Sequence, residues 1–247
     1  MNVLDIDLGN SRAKWRIATL GLSGSWLRLD ATDSKAYPAE WQAINRSVSA
    51  IRLASVRSDQ DTEAVIDALH KRFACDIHRA YSCGEAAGVI NGYAEPQRLG
   101  VDRWLALLAA RQVMQGDVVV VDAGTAITLD LLTGQGQHLG GYILPGVVRQ
   151  AESLGVTRVQ VVSAQLQPQW MPGQATQECV SAAITASILG LCCRAQHHLP
   201  AAHWCLTGGD VNWLAAICNE LNLRFTQYPN LVLDGLAWCP MQTYPAP

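Results

Sequence analysis

Two short turns in the chain carry the same residue types, and these types suit the binding of phosphate groups. The first is residues 7–11 (DLGNS) and the second is residues 122–125 (DAGT), each directly after an apolar run. Glycine lets the backbone approach a ligand closely, turn N–H groups and the hydroxyl can surround phosphate oxygens, and the acid can hold a cation or its water shell. One such turn is ordinary hairpin chemistry. Two of them at matching places, 115 residues apart from Asp7 to Asp122, favour a site that grips both ends of a triphosphate.

A third glycine turn, residues 207–210 (TGGD), lies between an apolar strand pattern at 204–206 and a helical pattern from Val211. Paired glycines permit close backbone approach, and a helix N-terminus behind them suits an adenosine or phosphate site. A strand–helix loop with Asp210 as its N-cap residue explains the same pattern. Both interpretations stay open at this point.

The first turn requires a hairpin to hold it. Apolar residues alternate at 3–8 and resume at 15–20, which predicts two strands, and a third strand is predicted at 26–29. The pattern then predicts a short helix at 37–46, a strand at 51–56, an amphipathic helix at 62–73 and a strand at 77–81. Three strands in hairpin order, followed by alternating strand and helix, indicate a mixed sheet in an α/β domain.

The second turn stands in the same setting. A helix predicted at 99–115 precedes the continuous apolar run 118–121, which is typical of a strand covered on both faces. Alternating residues at 127–132 form its hairpin partner, and a tight turn at 134–136 leads to a further strand. The repetition predicts a duplicated half-domain, with halves at 1–115 and 116–247.

Composition excludes several classes of protein. The 247 residues carry a formal net charge of −3 and are 49% hydrophobic, which excludes a disordered chain and a basic, nucleic-acid-coating protein. The N-terminus is acidic and lacks the features of a signal peptide. The apolar helical stretch at 182–193 is shorter than the roughly 18 residues of a membrane span. We therefore expect a cytoplasmic protein without a membrane or nucleic-acid partner.

Cysteine and histidine spacing does not favour a metal site. The eight cysteines contain no C-x-x-C pair, so buried, reduced thiols are favoured over disulfides or zinc. The adjacent pair His197 and His198 is typical of a helix end. Only 16% of the residues are charged, against the usual roughly 25%, so we expect surface to be buried between halves or subunits.

Further motifs accompany the three turns: residues 99–103 (LGVDR), residues 140–143 (GGYI) and the pair Pro145-Gly146. In this order, and over nearly the whole chain, the set resembles the type III pantothenate kinases, which include the Bvg accessory factor-like proteins. They belong to the acetate and sugar kinase, heat-shock 70 and actin superfamily. The resemblance implies two duplicated ribonuclease H-like/actin-like half-domains, each a mixed sheet flanked by helices, with ATP in the cleft between them. It implies ATP-dependent phosphorylation of pantothenate to 4′-phosphopantothenate, the first step of coenzyme A biosynthesis.

The resemblance also implies residue roles. The first ATP phosphate loop would be Asp7, Leu8, Gly9, Asn10, Ser11, Arg12, Ala13 and Lys14, with Thr125 contacting ATP from the second turn. Asp122 would hold a monovalent cation, K⁺ or NH₄⁺, in addition to the Mg²⁺ that accompanies ATP. The pantothenate pocket would be lined by Tyr93, Gly100, Val101, Asp102 and Arg103. Thr176 from the partner subunit of a homodimer would close this pocket, and Asp102 would be the general base.

Two residues depart from the family pattern. The family usually has threonine at the position of Ser11 and asparagine at the position of Ala175. Ser11 keeps a hydroxyl, so we expect little loss there. Ala175 lacks the amide, which weakens the assignment of Thr176.

Asp102 and Arg103 allow two explanations. An acid and an arginine near the first turn of an apolar helix can be an N-terminal charge with a surface partner. Alternatively, the planar fork of Arg103 fits the carboxylate of pantothenate, and Asp102 accepts the proton of the substrate hydroxyl. Two rival functions also remain: a nucleotide-binding regulator that has lost transfer, and another small-molecule kinase or phosphatase of the superfamily. Retention of Asp102, Arg103 and Asp122 argues against the regulator.

Overall fold

A computed structural model describes residues 2–27, 48–154 and 166–246 of the chain. The helix predicted at 37–46 lies outside the described residues. The chain divides into two compact units: the first comprises Met1–Ala87, Tyr93–Ala109 and Leu231–Pro247, and the second comprises Gly88–Gly92 and Ala110–Asn230. These units are defined by contacts, whereas the predicted halves at 1–115 and 116–247 are defined by repeated motifs, so the predicted boundaries stay a prediction.

The first unit is built on a six-stranded sheet. β1 (Asn2–Leu8), β2 (Arg12–Ile17) and β3 (Leu22–Leu27) form an antiparallel meander. β4 (Val48–Ser55) is parallel to β1, and β5 (Ile77–Ala80) is parallel to β4. β13 (Met241–Tyr244) joins β5 antiparallel, giving the order β13-β5-β4-β1-β2-β3. The predicted opening hairpin and mixed sheet are confirmed, although β4 begins at Val48 rather than at residue 51.

The described residues of the first unit include all or part of three helices: α1 (Asp59–Phe73), α2 (Val101–Val113), of which residues 101–109 lie here, and α6 (Leu231–Gly235). α1 begins three residues before the predicted start at Thr62 because Ser58 caps it: the Asp61 N–H donates to the Ser58 Oγ at 3.1 Å. Single turns of 3₁₀-helix cover Ala18–Leu20 and Pro96–Arg98. The buried side chains of α1 and β1 share one apolar core.

A network of charges covers the other face of β1. The buried Asp5 carboxylate accepts from Arg16 Nε at 3.1 Å and from Arg52 Nε at 2.7 Å. Arg16 also bonds Asp234 and, at 2.9 Å, the Leu233 carbonyl oxygen of α6. Burial lowers the pKa of Arg16, but hydrogen bonds to Asp234 and Asp5 raise it more, so its pKa lies above the ordinary value. The network therefore ties α6 to the first sheet.

The second unit repeats the strand pattern of the first. β8 (Val118–Ala123), β9 (Ala126–Leu132) and β10 (His138–Pro145) form an antiparallel meander. β11 (His203–Thr207) is parallel to β8, and β12 (Phe225–Gln227) is parallel to β11. The order β10-β9-β8-β11-β12 has the same connections and directions as β3-β2-β1-β4-β5. The predicted duplicated α/β architecture is confirmed. Two short strands, β6 (Glu85–Ala86) and β7 (Val89–Ile90), lie in the connecting chain.

Besides the end of α2, the described residues of the second unit form the helices α3 (Val147–Ser153), α4 (Thr176–His198) and α5 (Val211–Glu220). Within the described part of the chain, α4 alone is long and apolar enough to span a membrane. This helix has 23 residues, so it is longer than the apolar stretch 182–193 that was compared with a membrane span above. Its side chains Val180, Ile184, Ile188 and Cys192 are buried in the apolar core of this unit, as in the core helix of a globular protein.

Candidate functional site

The first phosphate turn joins β1 to β2. The register places Asp7 opposite Lys14, so both side chains lie on one face of the sheet. A Cβ on Gly9 would lie 2.8 Å from the Arg12 carbonyl oxygen, which is too close for any side chain, so glycine is required for the turn to close. Around it, Asn10 and Arg12 are exposed and Ser11 is half-buried. The turn thus offers polar side chains and backbone N–H groups beside an acid and a lysine.

Two residues of this predicted loop have no exposed side chain. Leu8 and Ala13 are 0% exposed and belong to the apolar core. They can offer a nucleotide only their backbone groups. Their place in the predicted ATP loop is therefore limited to N–H and C=O contacts.

Sequence reasoning missed Arg57. Its Nε donates to the Gly9 carbonyl oxygen at 3.0 Å, so its guanidinium lies against the first turn. Arg57 follows the end of β4, the strand parallel to β1, and ends of parallel neighbours lie at the same edge of a sheet. The contact joins residues 48 apart in the sequence, so no local sequence signal revealed it.

In the second unit, two glycine motifs close on the turn after β8. Gly146 donates its N–H to the Thr125 carbonyl oxygen at 2.9 Å, and a Cβ on Gly146 would overlap the Gly124 carbonyl oxygen. A Cβ on Gly208, at φ +101°, would overlap the Ala123 carbonyl oxygen, which accepts from the Asp210 N–H at 2.9 Å. The motifs at 122–125, 145–146 and 207–210 therefore form one site, in which Thr125 is exposed. Asp210 occupies the N-cap position of α5 but makes no side-chain cap bond.

Asp122 lies at the end of β8 between two threonines. The register pairs it with Thr128 on β9 and with Thr207 on β11, so three oxygen-bearing side chains share one face. Thr207 is 2% exposed, and its Oγ1 has no hydrogen-bond partner among the described residues. A carboxylate beside a buried hydroxyl that lacks a hydrogen-bond partner is a donor set that hard cations prefer. The residues present therefore fit a monovalent cation.

The predicted substrate residues Tyr93, Gly100, Asp102 and Arg103 come together at the start of α2. Asp102 Oδ1 accepts the Arg103 N–H at 2.7 Å, and a Cβ on Gly100 would lie 2.7 Å from that oxygen. Arg103, 7% exposed, donates from Nη1 to Tyr93 Oη at 2.7 Å. Its guanidinium carbon lies 5.6 Å from the centre of the Tyr93 ring. Val101 is buried and can contribute only backbone.

These contacts bear on the two explanations of Asp102 and Arg103, a charged helix N-terminus with a surface partner or a substrate site. Asp102 does serve the N-terminus of α2, because its carboxylate accepts a helix N–H. Arg103, however, is buried against Tyr93 rather than paired at the surface. The surface-partner explanation of Arg103 was therefore wrong.

Thr176 lies in the second unit, as the exposed first residue of α4. It lines an open pocket with Gln174, Cys179 and Val180. Ala175 occupies the N-cap position of α4 and makes no side-chain cap bond. Alanine lacks the side-chain amide of the asparagine that the family usually has at this position. Glu178, in the first turn of α4, accepts the Gln174 N–H at 2.8 Å.

All eight cysteines are free thiols. Cys75, Cys192, Cys205 and Cys218 are buried, as predicted, whereas Cys179 and Cys193 are exposed. Burial raises the pKa of Cys205 and Cys218 to about 12. Within the described ranges, no group of three or more His, Cys, Asp or Glu side chains could hold a metal ion.

Proteins of one known family match most of this chain. The family model for type III pantothenate kinase matches residues 3–197. A type III pantothenate kinase of Cellvibrio japonicus (strain Ueda107) is 38% identical and covers 95% of each chain. Another, from Pseudomonas aeruginosa (strain LESB58), is 35% identical over 97% of this chain and 100% of its own.

Solved structures show the same fold. A Campylobacter jejuni protein assigned to the Baf family superposes with a TM-score of 0.62 at 22% identity, covering 95% of both chains. The ethanolamine utilization protein EutJ from Carboxydothermus hydrogenoformans gives 0.51 at 12% identity, covering 95% of this chain and 88% of its own. The fold is the actin-like fold of the sugar kinases and their relatives. On the matched family model and these relatives, the chain belongs to the type III pantothenate kinase family.

Proposed function

We propose that the residues described above carry the reaction of this family, the ATP-dependent phosphorylation of pantothenate to 4′-phosphopantothenate. Family membership makes the protein a kinase that acts in the first step of coenzyme A biosynthesis. One observation supports the assignment of the acceptor site above all others. The buried Arg103 is held by Tyr93 directly beside Asp102, so a carboxylate-binding group adjoins a proton acceptor.

ATP is bound by its phosphates at the two turns in this proposal. Residues 7–14 supply backbone N–H groups, the Ser11 hydroxyl and the Lys14 ammonium, and Arg57 adds a second cationic group. Thr125 presents an exposed hydroxyl from the other turn. Mg²⁺ accompanies the nucleotide, and the Asp7 carboxylate holds it or its water shell. The positive charges offset the charge of the phosphates, which is the main catalytic requirement of phosphoryl transfer.

The monovalent cation, K⁺ or NH₄⁺, belongs at Asp122. Its carboxylate and the hydroxyls of Thr128 and Thr207 would hold the ion, and Thr207 has a buried oxygen available for it. When bound, the ion supplies positive charge next to the second phosphate turn. A site of this kind binds a large cation weakly, so dependence on K⁺ or NH₄⁺ is expected.

Transfer proceeds in line. The Arg103 guanidinium, whose Nη1 donates to Tyr93 Oη, binds the pantothenate carboxylate in this proposal. The primary hydroxyl oxygen of pantothenate forms a bond to the γ-phosphorus while the bond from that phosphorus to the β,γ-bridging oxygen breaks, and ADP leaves. The hydroxyl proton passes to the Asp102 carboxylate. Positioning and charge neutralisation supply most of the catalysis.

The active form in this proposal is a soluble, cytoplasmic homodimer with shared sites. Thr176 from one subunit completes the pantothenate pocket of the other. Its exposure at the start of α4 and the low charge content of the chain support this arrangement.

A coupled assay for ADP release tests the function. ATP, Mg²⁺ and KCl are held constant while the acceptor is pantothenate, glycerol, glucose or none. Release that depends on pantothenate alone supports the proposal. Release with a different acceptor would identify another kinase of the superfamily. Nucleotide binding without release would identify a regulator.

A further inference from the structure

The segment Gly88–Gly92 is docked along residues 136–138 of the second unit. The Ile90 N–H donates to the Gly136 carbonyl oxygen at 2.8 Å, and Ile90 forms a parallel bridge with Gln137. The Gly92 N–H donates to His138 Nδ1 at 3.4 Å. A Cβ on Gly136 would overlap the Gly88 carbonyl oxygen, and one on Gly92 would overlap that of His138. Glycines at both ends therefore allow the two stretches of backbone to touch.

His138 is itself fixed by a buried acid. Its side chain is 0% exposed and that of Asp130 is 2% exposed, and His138 Nε2 lies 2.9 Å from Asp130 Oδ1. The Gly92 N–H can only donate, so Nδ1 is the acceptor and the ring proton is on Nε2, where it is donated to Asp130. Asp130 thus selects the tautomer that can hold Gly92. Neither residue belongs to the phosphate turns or to the substrate cluster.

We propose that His138 and Asp130 are positioning residues for pantothenate binding. They hold Gly92, and the next residue in the chain is Tyr93, whose hydroxyl accepts from Arg103. Fixing the backbone at Gly92 restricts the conformations open to Tyr93, and through it the orientation of the Arg103 fork. The inference rests on the proposed role of Tyr93 and Arg103 in binding pantothenate.

Two substitutions of His138 separate its two hydrogen bonds. In His138→Gln the side-chain amide reaches the position of Nε2 and keeps the bond to Asp130, but the acceptor for Gly92 is lost. In His138→Asn the amide oxygen takes the position of Nδ1 and keeps the acceptor for Gly92, but the bond to Asp130 is lost. Because Asp130 is buried, the asparagine variant should be the less stable of the two.

Steady-state kinetics give the decisive comparison. One hydrogen bond of this type changes an equilibrium roughly 2- to 10-fold, so His138→Gln should raise the KM for pantothenate by that factor. Its KM for ATP and its kcat should stay within about twofold of the wild type, and His138→Asn should keep a near-normal KM for pantothenate. If His138 had a purely structural role, His138→Asn, the less stable variant, would be more impaired than His138→Gln. That result, or equal rises in the KM for pantothenate and the KM for ATP, would overturn the proposal.

Amide hydrogen exchange gives a readout that needs no activity. In the wild-type protein the Gly92 amide should exchange slowly, and in His138→Gln it should exchange faster while amides of β8 are unchanged. A fast-exchanging Gly92 amide in the wild type overturns the docking, even if His138→Gln does not fold. A wild type that does not phosphorylate pantothenate overturns the proposed function, and the positioning role with it, while the exchange data still report on the docking alone.

Discussion

Gly146→Ala should impair nucleotide use by moving the second phosphate turn. Gly146 has φ −60° and ψ 163°, a conformation that alanine adopts without strain. The substitution therefore tests steric contact alone. An added Cβ would overlap the Gly124 carbonyl oxygen and lie 2.8 Å from that of Thr125.

The size of the effect follows from this overlap. Restoring a normal contact requires a shift of roughly 1 Å in the turn, and a misplacement of that size can cost about 100-fold in rate. We expect kcat/KM for ATP to fall by roughly 10- to 100-fold. Overpacking also costs about 1–3 kcal/mol of stability, so the melting temperature should fall by several degrees.

The assay is ADP release with varied ATP at saturating pantothenate, at a temperature well below the melting point of the variant. Gly84→Ala is the matched control, because a Cβ there meets nothing within 4 Å, and it should behave as the wild type. If Gly146→Ala folds and keeps normal kinetics for ATP, the turn at 124–125 does not bind the nucleotide and the reasoning is refuted.

Four further predictions address single groups. Asp102→Asn should lower single-turnover transfer by roughly 10²–10⁴ while ATP still binds; a loss below about tenfold would make Asp102 a positioning residue rather than the base. Potassium or ammonium, but not sodium, should activate the enzyme, and Asp122→Asn should weaken this dependence and raise the KM for ATP; equal rates in sodium and potassium buffers would remove the cation site. Asp5→Ala should cost about 3 kcal/mol in urea unfolding, because it leaves Arg16 and Arg52 without their buried acid; an unchanged midpoint would show that the network does not stabilise the fold. Thiol reagents at pH 8 should modify the exposed Cys179 and Cys193 rapidly and leave Cys205 and Cys218 unmodified, since burial raises the pKa of these two to about 12; rapid modification of all four would contradict the burial.

Most of the fold could be predicted from the sequence because its signals are local. Alternating apolar residues predicted the β1–β2 hairpin, and the continuous run at 118–121 predicted the central strand β8. The glycine turns could also be predicted, since glycine, acidic and hydroxyl residues directly after an apolar run are typical of tight turns. The start of α1 was missed because Ser58 at its N-cap, rather than the first apolar residue, determines where the helix begins.

The site could be predicted less completely, because its contacts are long-range. Nothing near Arg57 in the sequence indicates that it contacts Gly9, 48 residues away. The contact of Gly146 with Gly124 depends on the β9–β10 hairpin bringing them together. The buried pair of Asp130 and His138 also went unnoticed, since an acid and a histidine eight residues apart form no motif. Burial, which sequence spacing does not report, is what makes this pair informative.

Identification of the phosphorylated product shows whether this chain transfers phosphate to pantothenate. The protein is incubated with ATP, Mg²⁺, K⁺ and pantothenate, and the products are analysed by mass spectrometry and ³¹P NMR. We expect a phosphate monoester on the primary, 4′ hydroxyl of pantothenate, with one ADP formed for each molecule of product. ADP formed without 4′-phosphopantothenate, or phosphate on any other position or acceptor, would contradict it.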